Sequence, residues 1–198
     1  MTETTDGHYV AIDNETGGFE GTSLLSTYLE VFDKDFNSLG SLNMNVCPND
    51  RIYHVEAGGL SVNKIDLVEH DKNAITYSQA GKLLRDYLMA WSLGGKNKLI
   101  PVGHGVTFDV IGLWVLLSRP NFEMYTSYRK IDTAVVAQFL KFCGKIPETV
   151  SGSLDSLCEH FNVNAVTAIP HTAKGDVWRT LAVLHAMRAL TNNWTVKL

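Results

Sequence analysis

Residues 10–19 read Val-Ala-Ile-Asp-Asn-Glu-Thr-Gly-Gly-Phe, and how this stretch is read decides the fold. Its first half, with His8 and Tyr9 ahead of it, is a short apolar run of the kind that makes a buried strand. Its second half sets Asp13 and Glu15 two residues apart, which on a strand turns both side chains to one face. A carboxylate at the end of a buried strand is costly unless it is paired or holds a metal. Gly17 and Gly18 then allow the backbone to turn sharply. The stretch reads as a strand at 8–14 carrying half of a metal site, and the rest of the chain has to supply the other half.

The bulk of the chain is compatible with that. Its 198 residues suffice for one domain with a sizeable core, and 45% hydrophobic against 19% charged residues excludes a disordered chain. No apolar stretch approaches the ~20 residues of a membrane helix, so no membrane partner is expected. The opening Met-Thr-Glu-Thr-Thr-Asp-Gly has no basic region followed by an apolar one, and a cytoplasmic location is expected. Cys47, Cys143 and Cys158 are odd in number, widely spaced and without a C-x-x-C pair, which predicts reduced, buried thiols. A net charge of −4 argues against a broad basic face for nucleic acid. It does not exclude a phosphodiester substrate, because two divalent ions neutralise four carboxylates gathered in one place.

Along the chain, 24–33 and 39–46 follow the first strand with β-branched, aromatic and alternating residues, and 33–38 carries turn chemistry between them. A three-strand meander is predicted. Residues 47–73 read as loop plus a short helix. Thr76 to Trp91 has apolar residues at helical spacing; 99–102 is a strand, 107–117 a buried helix, 128–131 a short strand and 133–142 a helix. Ser153 caps a helix over 153–161, and a long helix spans 173–190. Strands first, then strands alternating with helices, give an α/β fold: a mixed sheet with helices on its faces. With no repeat or linker, residues 1–198 read as one domain with its core over about 8–190.

Two further stretches bear on the opening motif. In His104-Gly-Val-Thr-Phe-Asp109, Asp109 falls where a glycine turn enters an apolar helix. A carboxylate there has an ordinary explanation, the free N–H groups of the helix start. Its neighbours Phe108, Val110 and Ile111 nevertheless keep it off a solvated face. In His171-Thr-Ala-Lys-Gly-Asp176, a histidine precedes the last helix and an acid lies in its first turn. Each is commonplace alone. Taken in order, four carboxylates and a histidine at the ends of buried elements match what two-metal phosphoryl chemistry requires.

On these residues the chain resembles the DEDDh 3′→5′ exonucleases, the DnaQ-like and RNase T-like group. The motifs are Asp-Asn-Glu-Thr-Gly-Gly at 13–18, His-Gly-Val-Thr-Phe-Asp at 104–109 and His-Thr-Ala-Lys-Gly-Asp at 171–176. The stretches between them, 58–65, 130–133 and 153–161, are similar too. The family commonly has Asn where Gly105 stands, and a Thr or small residue at the place of Gly17.

The resemblance implies an RNase H-like sheet, three antiparallel strands followed by parallel ones, with helices on both faces. It implies Asp13, Glu15, Asp109, His171 and Asp176 as catalytic residues. The four acids would bind two Mg²⁺ ions, for which Mn²⁺ would substitute, and His171 would be the general base. It implies hydrolysis of the terminal phosphodiester of a single strand, releasing 5′-nucleoside monophosphates. Thr16 and Gly17 would contact the 3′ end through their amides, with Phe19 and Leu60 against the terminal base. Phe108 reads either as a substrate contact or as a core residue beside the acid. DNA is the favoured substrate. An RNA-trimming exoribonuclease uses the same residues and stays open, as does a homodimer; a non-catalytic binding module would lack an acid, and none is missing.

Overall fold

The structure is a computed structural model and describes residues 8–19, 21–163 and 169–191. Its centre is the predicted meander. β1 (Tyr9–Thr16) pairs antiparallel with β2 (Leu24–Phe32), and β2 with β3 (Ser38–Cys47). β1 runs two residues past its expected end, so Asp13 and Glu15 both sit within the ladder, opposite Tyr28 and Ser26.

On the other side of β1 the sheet turns parallel. β5 (Ile100–Gly103) pairs with β1 and β6 (Ile131–Asp132) with β5, while β4 (Ile75–Thr76) adds a short parallel edge to β3. The order is β4-β3-β2-β1-β5-β6, the mixed architecture expected from the sequence.

Helices cover both faces because β1 alternates apolar residues to both. Val10 and Ile12 join a core with Leu84 and Leu88 of α3 (Tyr77–Trp91), Val110 of α4 (Val106–Gly112) and Phe122 of α5 (Arg119–Tyr125). Ala11 faces the other way, packing with Tyr28, Val102 and the first turns of α8 (Ala173–Ala189). Asp13 and Glu15 share the face of Ala11 and lie under α8. A third cluster joins α8 to α6 (Thr133–Phe142) and α7 (Leu154–His160) through Ala137, Leu157 and Val183.

Four local expectations are revised. The strand expected at 128–131 is instead the two-residue β6 at Ile131–Asp132, with 128–130 outside any strand. Residues 47–73 hold two seven-residue helices, α1 (Ala57–Asn63) and α2 (Leu67–Asn73), the second capped by Asp66. The expected helix 107–117 is α4 followed by a 3-10 turn at Leu113–Val115, and one side of it is open: Phe108, Ile111 and Val115 are about half exposed. α5 was not foreseen. Cys47 and Cys158 are buried free thiols, and Cys143 is half-buried. Among the described residues no helix is long and apolar enough to cross a membrane.

Candidate active site

The C-terminal half of β1 brings Asp13 and Glu15 to the sheet face beneath α8, and the first turn of α8 brings Asp176 down onto them. One ligand oxygen from each of the three lies within 4.8 Å of the others. The approach to α8 is tightly built. Thr172 caps the helix, its Oγ1 accepting the Gly175 N–H at 3.1 Å. Gly175 has no substitute here, since a Cβ would stand 2.0 Å from the Ile169 carbonyl oxygen. His171 takes a left-handed backbone, φ 59°, and its N–H donates to Asp176 Oδ2 at 3.2 Å.

Asp109 arrives from the opposite side. β5 stays with β1 only as far as Val102 opposite Ala11, and beyond that point α4 occupies the strand's place. The Asn14 N–H donates to Asp109 Oδ1 at 3.1 Å, and Asn14 Nδ2 donates to the Asp109 carbonyl at 2.8 Å. α4 is started by Gly105, φ 75°, with open space around its Cβ position. Asparagine also adopts that conformation readily, so an Asn at this place would be tolerated by the backbone. The start is clamped by Asp132, whose Oδ1 accepts the N–H groups of Gly105 and Ala134, each at 3.0 Å, and whose Oδ2 accepts that of Val106 at 3.1 Å.

Bringing these acids together out of water perturbs them. Burial, and then the charges of Asp109, Asp176 and Glu15, push the Asp13 carboxyl well above the carboxylate range; Arg179 pulls the other way. Burial and then Asp176 raise Glu15 to about 7. Burial raises Asp109 as well, opposed by its bond from the Asn14 N–H. Acids kept from ionising side by side are what a divalent cation relieves, so the donor set fits oxygen-seeking ions.

The remaining expected residues divide between two depressions. Thr16, Phe19 and Phe108 line an apolar groove of about 760 Å³ together with Ile52, Ile111 and Val115. Phe19 is 81% exposed and Phe108 half exposed, so Phe108 is an open surface residue and not part of the core. His171 lines a polar cleft of about 370 Å³ with Glu15, Asn43, Asn45 and Lys174.

Two residues depart from expectation. The Gly17 N–H donates to the Ser23 carbonyl at 2.8 Å, so that donor is already engaged within the loop. Leu60 is half-buried on α1 and lies outside the residues lining the apolar groove. Its neighbour Gly59 instead holds α1 against the turn that follows β1: a Cβ there would stand 2.4 Å from the Gly17 carbonyl oxygen.

Several site residues were not singled out in the sequence. Asp132 read only as filler of a short strand. His104, half-buried, has Nδ1 2.9 Å from Thr133 Oγ1. Arg179, one turn after Asp176, bonds Asp176 Oδ1 at 2.7 Å and also reaches Asp155 on α7. The i,i+3 spacing of Asp176 and Arg179 on a helix was the available signal.

No protein-family model matches the chain, and no curated protein is similar to it in sequence. Its fold is nevertheless that of solved exonuclease I structures, a mixed sheet of the RNase H-like kind. Escherichia coli exonuclease I in complex with a dT13 oligonucleotide aligns with a TM-score of 0.72 at 16% identity, over 93% of this chain and 42% of that one. The zinc-bound form of the exonuclease I complex with single-stranded DNA gives 0.74 at 17% over 95% and 42%, and a further exonuclease I structure gives 0.74 at 18% over 92% and 41%. The chain spans about two fifths of the length of these structures. At this identity the likeness is one of fold.

Proposed function

We propose that this chain is a metal-dependent 3′→5′ exonuclease of single-stranded nucleic acid, DNA before RNA, with residues 8–190 as one catalytic domain. The observation that carries the reading is the meeting of Asp13, Glu15 and Asp176 within 4.8 Å, with Asp109 hydrogen-bonded to the strand between the first two. Asp13, Glu15, Asp109 and Asp176 would hold two divalent ions, Mg²⁺ with Mn²⁺ as substitute. Such ions, when bound, stabilise both the attacking and the leaving oxygen of an in-line displacement.

The side chains do the rest. His171, exposed at the rim beside Asp176, takes the proton of the attacking water. Phe19 and Phe108 offer aromatic faces in the apolar groove, and bases stack on such faces whatever their identity. Thr16, which lines this groove, follows Glu15 directly in the chain, and the 3′ end would pass from the groove to the acids. The neighbours in complex with single-stranded DNA favour DNA as the substrate.

The test is degradation of 5′-labelled single-stranded DNA and RNA of one sequence by the protein and its Asp13→Ala variant, in Mg²⁺ or EDTA. A ladder shortening from the 3′ end, lost in EDTA and in the variant, is expected, with DNA consumed faster. Faster loss of RNA would move the chain to the exoribonucleases. No shortening of either strand would end the reading.

A further inference from the structure

The acids at the site are accompanied by a cation of the protein's own. Arg179 lies on α8 one turn beyond Asp176, and its side chain is only 9% exposed. Its Nη1 donates to Asp176 Oδ1 at 2.7 Å, and its Nη2 to Asp155 Oδ1 on α7. Asp176 Oδ2 accepts the His171 N–H. Both oxygens of Asp176 are therefore engaged by the chain itself, one of them by a full positive charge.

The two partners of the guanidinium are unequal. The Asp155 side chain is 66% exposed and that of Asp176 14%. Water screens the first pair far more than the second, so the Asp176 side of the bridge is the stronger electrostatically. Burying a guanidinium is costly, and a helix position flanked by buried Val177, Thr180 and Val183 would take an apolar residue at less cost. Its presence there needs a reason, and the reason faces it.

We propose that Arg179 is a built-in counter-cation: it pairs with Asp176 in the metal-free protein and competes with a divalent ion for that carboxylate. The inference rests on the metal-dependent reading above and adds to it a positioning residue outside the ordered acids and histidine. Three carboxylate oxygens within 4.8 Å repel one another, and a guanidinium beside them offsets part of that repulsion. Its field at Asp13 indeed opposes that of the acids. An interaction that stabilises only the metal-free state weakens cation binding by the same amount, because the ion must displace it. Asp155 completes the device: once the ion holds Asp176, the guanidinium keeps a carboxylate partner on the solvent side.

The test uses the full chain with Mn²⁺ alone, by titration calorimetry and by thermal melting in EDTA and in saturating Mn²⁺. Arg179→Gln keeps length and a donor but removes the charge. It is expected to bind Mn²⁺ about tenfold more tightly than the wild type. It should melt lower in EDTA and recover toward the wild type in Mn²⁺. Arg179→Lys keeps the charge and should stay closer to the wild type than Arg179→Gln does. A role in structure alone would lower both melting points and leave Mn²⁺ affinity equal or weaker, and that result overturns the inference by itself. Arg179→Gln that folds only with Mn²⁺ supports it; Arg179→Gln unfolded even in Mn²⁺ overturns it. Wild-type protein that binds no Mn²⁺ overturns the metal-dependent reading and this inference together.

Discussion

Under α3, α4 and α5 the sheet presents Val10, Ile12, Val31 and Met44, and the helices answer with Leu84, Leu88, Val110 and Phe122, all buried. Under α8 the same strands present Ala11 and then Asp13 and Glu15, with Tyr28 and Glu30 beside them. Even there the acids differ. Glu30 is buried but satisfied, its Oε2 accepting from Tyr28 Oη at 3.1 Å and from Trp178 Nε1 at 3.0 Å. Asp13 meets other carboxylates instead. One face therefore supplies stability, and the other gives up part of it to hold like charges together. The two should respond to change in opposite ways.

The largest expected effect is at the costly face. Asp13→Asn should lower nuclease turnover beyond about a thousandfold, read from the labelled-strand assay. Its melting temperature in EDTA should nevertheless hold or rise, since a like charge has gone. A fall in both would erase the distinction between the faces. Leu84→Ala, on the apolar face, should do the reverse. A cavity there costs about 2–5 kcal/mol in denaturant unfolding, while activity per folded molecule is kept.

Phe108→Ala sharpens the contrast at the open groove. It should weaken oligonucleotide binding by about 1–3 kcal/mol in a titration, as for a lost base stack, and barely shift unfolding because the ring is half exposed. The smallest effect is in pH. Glu15 binds its proton more tightly folded, near 7, than unfolded, near 4.5. The stability it contributes is present at low pH and lost as pH rises toward about 7. Metal-free protein should melt higher at about pH 5.5 than at about pH 8, and Mg²⁺ should narrow that gap. A melting temperature rising with pH in EDTA would contradict the raised value.

What the sequence made legible follows from period. The two-residue repeat of a strand is enough to put Asp13 and Glu15 on one face, and the 3.6-residue repeat of 76–91 sets one long helix within a residue of its ends. Residues 173–190 form a helix as expected but have no single apolar stripe, because α8 packs into two clusters. The seven-residue helices α1, α2 and α5 are too short for a repeat to show, whereas α7, equally short, is marked by its Ser153 cap. The open side of α4 was missed because Phe108 and Ile111 look alike whether a neighbour or a groove lies opposite. Asp132 was missed for a further reason: it acts across the chain on Gly105, and no local spacing announces a partner 27 residues away. For Arg179 the i,i+3 spacing to Asp176 was there, but its second partner, Asp155, lies 24 residues away.

The Asp132 clamp fixes the length of the turn it holds. Its carboxylate ties the N–H groups of Gly105 and Val106 to that of Ala134, so the start of α4 has a fixed address beside β6. One residue inserted between Gly103 and Val106 would force a choice. Either the clamp opens, or α4 keeps its place and the inserted chain slides Asp109 about 1.5 Å along the helix axis and about 100° around it. The second outcome turns that carboxyl away from Asn14, so a change of length in the turn is registered at a buried acid four residues into the chain beyond it.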